Sequence, residues 1–525
     1  MKKLLYQIHR WAGIALALFM FMWFSSGLVI MYAGPSALEP EQRLARQEIL
    51  HPQAGWLSLG QAWERGARQT SGGKRLPDDW ISEARLVRHA GQPLWLIRDG
   101  RGQHFALSAQ DGSVHRTSVA EGAQIAAQWI GQGVAQASPL VTHLDTGPQD
   151  SSVRNHEGLA PFHRYAVGDS SRELLVSTKT GEVVRDSTAS TRALYWVGNW
   201  IHLLRPIEAI STAETRRTVL TCLAAFAVAA SLTGLIIGWQ RWRPGWAGRA
   251  TYSQGRVHPY RDVWNTWHFW VGLIGGTAAL LWAFSGLMNS NPGQIFSNAN
   301  PSRAELGRYE GHQTPQAALD WRPAPLANSQ GDNANLVELA WQHLGDKVVL
   351  LGTTRGGERL PQMAEGAVAR FSDEDLLQAA TRLSGKAKVA SHALQTEYDS
   401  YYYPRHHQSG LEKPLPVLRV ELDDKAGTRL YLDPQDGRVL LKQDASRRAY
   451  RWLYSAVHHW DFGWLYQRPW WDAWMLPLVL MGVILGGTSV VLGWKRLRLE
   501  FKPKKKKKNK PAVATAKPTP DFHRS

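Results

Sequence analysis

Two stretches decide the fold: His9-Arg-Trp-Ala-Gly13, running on to Trp23-Phe-Ser-Ser-Gly-Leu28, and His268-Phe-Trp-Val-Gly272, running on to Trp282-Ala-Phe-Ser-Gly-Leu287. One shift, 268 − 9 = 259, takes His9 to His268, Trp11 to Trp270, Gly13 to Gly272 and Trp23 to Trp282. It also takes Ser26 to Ser285, Gly27 to Gly286 and Leu28 to Leu287. So many identities at one ungapped shift mark an internal repeat. The ends of the two halves match at nearly the same shift. Gly181 goes to Gly437, Trp196 to Trp452 and His202 to His458 at 256, and Gly238-Trp239 goes to Gly493-Trp494 at 255. Each half therefore reads: histidine, apolar helix, long polar segment, Trp, histidine, apolar helix, Gly-Trp, basic stop.

The apolar runs are Trp11 to Tyr32, Val219 to Trp239, Trp267 to Met288 and Trp474 to Trp494, each long enough to cross a bilayer. The first is too long for a signal-peptide core, and Tyr32-Ala33-Gly34-Pro35 is a poor cleavage site, so it reads as a retained helix. Basic residues flank one side only. They are Lys2, Lys3 and Arg10 at the start, Arg241, Arg243, Arg249, Arg256 and Arg261 in the short loop, and Lys495, Arg496, Arg498 and Lys504 to Lys508 at the end. By the positive-inside rule both termini and that loop are cytoplasmic, and the two long segments lie outside, in the periplasm of a Gram-negative cell. Trp239, Trp242, Trp264, Trp267, Trp470, Trp471 and Trp474 crowd the expected interfaces.

The expected fold class is an α-helical membrane protein: a four-helix bundle built from two parallel repeats, each with an outer α+β insertion, related by a pseudo-twofold along the membrane normal. The expected boundaries are 1–33, 216–242, 263–289 and 470–496 for the helices. The outer domains are 34–215 and 290–469, the cytoplasmic loop is 243–262, and 497–525 is a basic, disordered tail. In the first insertion, Leu57 to Gln69 has helical periodicity. Strands follow at Ala84–Arg88, Pro93–Arg98 and His104–Ser108, with Asp111-Gly112 as a turn. A second pair, Tyr165–Val167 and Glu173–Ser177, corresponds to Val417–Leu422 and Arg429–Leu432 in the other half. The stretch Gln294 to Gly331 reads as loop.

The chain of 525 residues carries a formal net charge of +17, one cysteine and 25 tryptophans. Much of the charge is juxtamembrane and no nucleic-acid motif accompanies it, so nucleic acid is not an expected partner. With Cys222 alone, no disulfide forms within the chain, and no Cys-x-x-Cys-His attaches a haem covalently.

A lone histidine at a helix end is ordinary. Here the repeat places His9 and His268 together at the cytoplasmic mouth, and His202 and His458 together at the outer one, with His459 as the alternative to His458. Two facing imidazoles on neighbouring helices are what bis-histidine ligation of a haem iron needs. Gly13, Gly27, Gly272 and Gly286 leave room for a flat macrocycle, and Trp11 and Trp270 line the same pocket, although the same residues also serve helix packing and the interface belt. Arg10, Arg205 and Arg451 are candidates for the propionates. Two non-covalent b haems at opposite faces suggest electron transfer across the bilayer. No catalytic side chain stands out.

These features resemble the PepSY-associated transmembrane family. The carriers are His9-Arg-Trp-Ala-Gly13, Trp267-His-Phe-Trp-Val-Gly272, the strand–turn Tyr431-Leu-Asp-Pro-Gln-Asp-Gly437-Arg-Val, and Arg451-Trp-Leu-Tyr-Ser-Ala-Val-His-His-Trp-Asp-Phe462. The resemblance, to ferrisiderophore reductases of the FoxB and PiuB type among others, implies PepSY-like outer domains and an inner-membrane, haem-dependent oxidoreductase. It implies reduction of ferric siderophores or other ferric chelates in the periplasm, releasing Fe(II). No flavin or nicotinamide signature is present, so the electrons are expected from a quinol or a separate donor. Tyr401, Tyr402, Tyr403, Arg405, His406 and His407 form an aromatic and cationic cluster able to hold an anionic chelate, or a strand edge and polar turn. His143, His156 and His163 fit no metal spacing and read as loop. The competing readings are a small-solute or metal transporter and a non-enzymatic periplasmic sensor. The absence of an interrupted span or an intramembrane acid speaks against the first.

Overall fold

The computed structural model describes residues 2–34, 38–70, 80–131, 140–148, 151–168, 171–246, 248–323, 335–405 and 408–501. Three helices are long and apolar enough to cross a membrane: Lys2–Ile30, Ala213–Arg241 and Trp470–Glu500. A fourth apolar segment is a bent pair, Val263–Ile274 and Gly276–Asn289, meeting at 64°. One continuous helix was the expectation there, and the difference has a local cause. Gly275 and Gly276 are weak helix formers, and a Cβ on Gly275 would lie 2.9 Å from the Cβ of Met481 on the last helix. The segment bends where that helix presses against bare backbone.

The apolar helices form a closed ring. The first packs on the last and on the second, and the bent pair packs on the second and on the last. Small residues set the closest approach, as is usual where lipid gives helices no hydrophobic reason to associate. On the last helix, Gly482 lies against the Phe24 ring, and a Cβ on Gly486 would come within 2.6 Å of Phe21 Cα.

The long segments fold as three antiparallel sheets. The strands Val141–Gly147, Phe162–Val167, Arg172–Ser177 and Val183–Thr188 make one, and Val389–Gln395, Val417–Leu422, Arg429–Leu432 and Val439–Gln443 make another. The third has seven strands drawn from both long segments. Ile81–His89 of the first pairs with Leu336–Leu344 of the second at its centre. In that pairing Arg85 faces Ala340, while Ala84 faces Trp341 and Leu86 faces Leu339. Since 340 − 85 = 255, each strand meets its own counterpart about a local twofold. The two insertions thus share one sheet and one apolar core, in which Leu86, Trp95, Leu339 and Trp341 are all buried.

Expected strands occur with edges moved by a few residues, but several elements were not anticipated. The stretch taken as loop carries helices Arg303–Glu310 and Gln316–Asp320, the first opened by a capping box between Ser302 and Glu305. His143 and His163 stand on paired strands, not in a loop. The hydroxyl of Thr146 bridges their rings, at 3.0 Å and 2.8 Å, and His163 Nε2 lies 2.9 Å from Thr117 O. These are structural hydrogen bonds. Residues 502–525, including Lys504 to Lys508 and most of the expected tail, lie outside the described residues, as do His406 and His407.

Candidate functional site

His9 lies two turns into the first helix and His268 near the start of the bent pair. Their ring centroids are 6.3 Å apart, with planes inclined at 44°. Two imidazoles bound to one metal at about 2 Å would set their centroids roughly 6 Å apart, so the pair fits a shared axial site.

The remaining hydrogen bonds fix which nitrogen is free. His9 Nδ1 lies 3.0 Å from Ala230 O on the second helix. A carbonyl only accepts, so Nδ1 carries the proton. His268 Nδ1 lies 3.2 Å from Thr488 Oγ1, whose own proton goes to Leu485 O, so here too Nδ1–H donates. The acceptors are not counterparts: at the 255 shift of these helices Thr488 matches Thr233, whose hydroxyl bonds Ala229 O and Ala230 O instead of His9. Both Nε2 atoms are left unprotonated and without a hydrogen-bond partner among the described residues.

The outer mouth repeats the arrangement with other groups. Each half ends its long segment in a π-helical turn, Trp196–Ile201 or Arg451–Ala456, followed by the histidine and then a residue in left-handed backbone, Leu204 or Trp460. Trp23 Nε1 donates to His202 O at 3.1 Å, and Trp282 Nε1 to His458 O at 2.9 Å. Ser26 Oγ is 3.0 Å from His202 Nδ1, and Ser285 Oγ is 3.0 Å from His458 Nδ1. Both serine hydroxyls spend their proton on a carbonyl one turn back, Met22 O and Leu281 O, at 2.7 Å. They therefore accept from Nδ1–H, and Nε2 is again the free base. A hydrogen bond of this kind at Nδ1 fixes the ring and leaves Nε2 outward, as ligation of a metal would need. His458 shares the serine contact with His202, while His459 Nδ1 bonds Ser455 O.

Along the first helix, 26 − 9 = 17 residues separate the two levels, about 26 Å at helical rise. The two histidine pairs thus stand nearly a hydrocarbon thickness apart. A Cβ on Gly13 or Gly286 would meet nothing within 4 Å, while one on Gly27 would touch His202 Cε1 at 3.8 Å, and one on Gly272 would touch Leu485. Trp11 is exposed, whereas Trp270 packs against His258 and Phe269. Among the described residues no three His, Cys, Asp or Glu side chains gather as a metal cage would require; axial ligation of a macrocycle takes two.

The model of the PepSY-associated TM region matches residues 6–384. The chain belongs to that family. The match spans His9, His202 and His268, while His458 and the two later motifs lie beyond it. No curated protein and no solved structure matches the chain.

In this family member the expected substrate cluster divides. Tyr402 is core: its ring stacks on Tyr431 at 5.1 Å and its hydroxyl donates to Pro414 O. Tyr403 bonds Asp461, which also pairs with the buried guanidinium of Arg451. Tyr401 accepts from Trp452 Nε1, and Arg405 is exposed. Arg10 is exposed too, and Arg205 begins a short 3-10 turn. The residues missed from sequence are Ser26, Ser285, Trp23, Trp282 and Thr488 as holders of histidines. The repeat already carried a signal for four of them, in the shared Trp-x-x-Ser.

Proposed function

We propose that the protein is an inner-membrane electron carrier with two b haems. One would be held by His9 and His268 on the cytoplasmic side and the other by His202 and His458 on the periplasmic side, in a four-span bundle of two parallel repeats. The observation that carries this reading is the common state of the four imidazoles. Each is held through Nδ1–H by a group on another segment of its own half, and each offers a free Nε2. Haem b, when bound, supplies one-electron chemistry at its iron. The protein's own residues orient the ligands, and the apolar helices keep water from the sites.

The destination we propose is a ferric siderophore or other ferric chelate in the periplasm, reduced to release Fe(II), with a quinol or a separate protein as donor. Membership of the family and the transmembrane separation of the two histidine levels support it. The test is the spectrum of the purified protein. Two b haems per chain, with the narrow α band of bis-histidine ligation on reduction, are expected. A colourless protein from cells with ample haem would sink the reading. Oxidation of the reduced protein by a ferric chelate, with Fe(II) trapped by ferrozine, tests the substrate.

A further inference from the structure

The two outer histidines are held alike but are not approached alike. Tyr450, Tyr454 and His458 follow at intervals of four residues and form a column of tilted rings in contact, with planes at 45° and 35°. The ring centroids of Tyr450 and Tyr454 are 5.0 Å apart, and those of Tyr454 and His458 are 5.2 Å apart. Tyr450 is anchored through its hydroxyl to Asn289 Oδ1 at 2.8 Å. The counterparts in the first half, at 450 − 256 = 194 and 454 − 256 = 198, are Leu194 and Gly198. A Cβ on Gly198 would already lie 3.1 Å from Ile30 Cα, so no ring fits there. Among the described residues, this column of rings stands on His458 and has no equivalent on His202.

Its far end is cationic. The Arg447 guanidinium lies over the Tyr450 ring at 4.1 Å. Arg405 is near enough that its charge acts on Arg447 and Lys413 and on Tyr450 and Tyr454. Burial lowers the pKa of Arg447 and Lys413 and Arg405 lowers both further, while Asp444 acts on Arg447 and Glu412 on Lys413 in the opposite sense. No carboxylate lies within ion-pairing distance of any of the three among the described residues. Asp444 beside them spends an oxygen on the backbone N–H of Arg447, and Glu412 is exposed. Three cations that no carboxylate touches among the described residues repel one another, and an anion that joins them relieves the repulsion.

We propose that Arg405, Lys413 and Arg447 form a docking port for a soluble anionic metal chelate, and that the Tyr450–Tyr454 column is the contact through which an electron passes from the His458 site to it. This rests on the proposed function. One electron would move: the haem iron that His458 would hold is oxidised from Fe(II) to Fe(III) as the chelated Fe(III) is reduced to Fe(II), and no bond is made or broken. The port belongs to the second half only, so the repeat has one exit.

The test separates binding from electron transfer. Ga(III)–diethylenetriaminepentaacetate is dianionic and redox-inert, and its binding by equilibrium dialysis needs no haem. The double variant R405Q/R447Q is expected to bind it about tenfold more weakly, with a flatter salt dependence, while R405K/R447K retains binding. Tyr454→Leu is expected to leave Ga(III) chelate binding in place but to slow oxidation of the reduced protein by the Fe(III) chelate at saturation, and Tyr454→Phe to restore the rate. Equal binding by wild type and R405Q/R447Q overturns the port. So does a variant that loses only its association with anionic phospholipid vesicles. Unchanged electron transfer in Tyr454→Leu overturns the column. A colourless protein defeats the haem reading, and the dialysis then still decides the port.

Discussion

The outer mouths of the two halves differ in an instructive way. Around His202 and His458 the Trp-x-x-Ser scaffold is reproduced atom for atom, with hydrogen bonds of the same length. One turn further out the likeness ends. The second half builds Tyr450, Tyr454, Arg451 and Asp461, where the first has Leu194, Gly198, Tyr195 and Arg205. Duplication thus preserves what holds the imidazole, and divergence falls on what surrounds it. If the bundle carries electrons in one direction, as proposed, it needs both: two equivalent sites and an inequivalent surface.

The largest effects should come from breaking the part that is shared. His202→Ala and His458→Ala should each remove one haem, lowering the haem content from two per chain to one, as read by pyridine haemochrome. His9→Ala and His268→Ala should remove the other. Loss of both haems from any single change would show that the pairs are assigned wrongly or that one site depends on the other.

The seam between the halves offers the next test, because it is shared in backbone and unshared in charge. Arg85 bonds Glu182 at 2.7 Å and Glu338 at 2.9 Å, and Arg43 joins Glu338 at 3.1 Å. The counterparts of Arg85 and Glu182 are Ala340 and Arg438. Burial alone would raise both carboxyls, but Arg85 and Arg43 outweigh it and hold them down to about 2. A depressed carboxyl stabilises the fold above its unfolded value of 4.5 and loses that contribution as pH falls toward 2. Arg85→Ala takes Glu182's ion pair away and leaves Glu338 with Arg43 alone, and should cost about 3–5 kcal/mol at neutral pH. The gap in thermal midpoint between wild type and variant should be widest above pH 4.5 and close on acidification. A gap independent of pH would mean that packing, not charge, is lost.

Helix packing differs between the halves as well. The first and last helices meet through Gly482 and Gly486, whereas the bent pair yields at Gly275. Gly486→Leu places a side chain on the Phe21 backbone and should destabilise the bundle by about 1–3 kcal/mol, seen as a lower midpoint in detergent. An unchanged midpoint would show that the contact is loose.

Much of this was legible in the sequence. Hydropathy picked out three long apolar helices and the segment that became the bent pair, and the two shifts selected, from nineteen histidines, four that the structure holds through Nδ1. Alternation gave Ala84–Arg88 and Pro93–Arg98, which lie inside the observed strands Ile81–His89 and Gln92–Asp99, and the Asp111-Gly112 turn holds with Gly112 at φ 77°. What stayed hidden depends on contacts that no local pattern records. The bend at Gly275 needs Met481 on another helix, and the seven-stranded sheet needs strands more than 200 residues apart. The Tyr401–Tyr403 run looked like one surface. The run is instead a bend, in which Asp399 accepts from the Tyr402 backbone N–H and the Tyr402 hydroxyl donates to Pro414 O, and only Tyr402 is fully buried.

The finest comparison concerns the hydroxyls. Ser26→Ala and Ser285→Ala remove the same acceptor from equivalent imidazoles without touching a ligand. Each should leave the haem bound but release it about tenfold more readily. Each should also shift the midpoint potential upward, because an imidazole that no longer donates a proton bond is a poorer electron donor to iron. Thr should restore both quantities, since its hydroxyl can also bond the carbonyl one turn back. If the halves are equivalent at this level, the two shifts will match. If Ser285→Ala shifts the potential more than Ser26→Ala, the Tyr454 ring against His458 is part of the same electrostatic unit, and the asymmetry of the outer surface reaches the ligand itself.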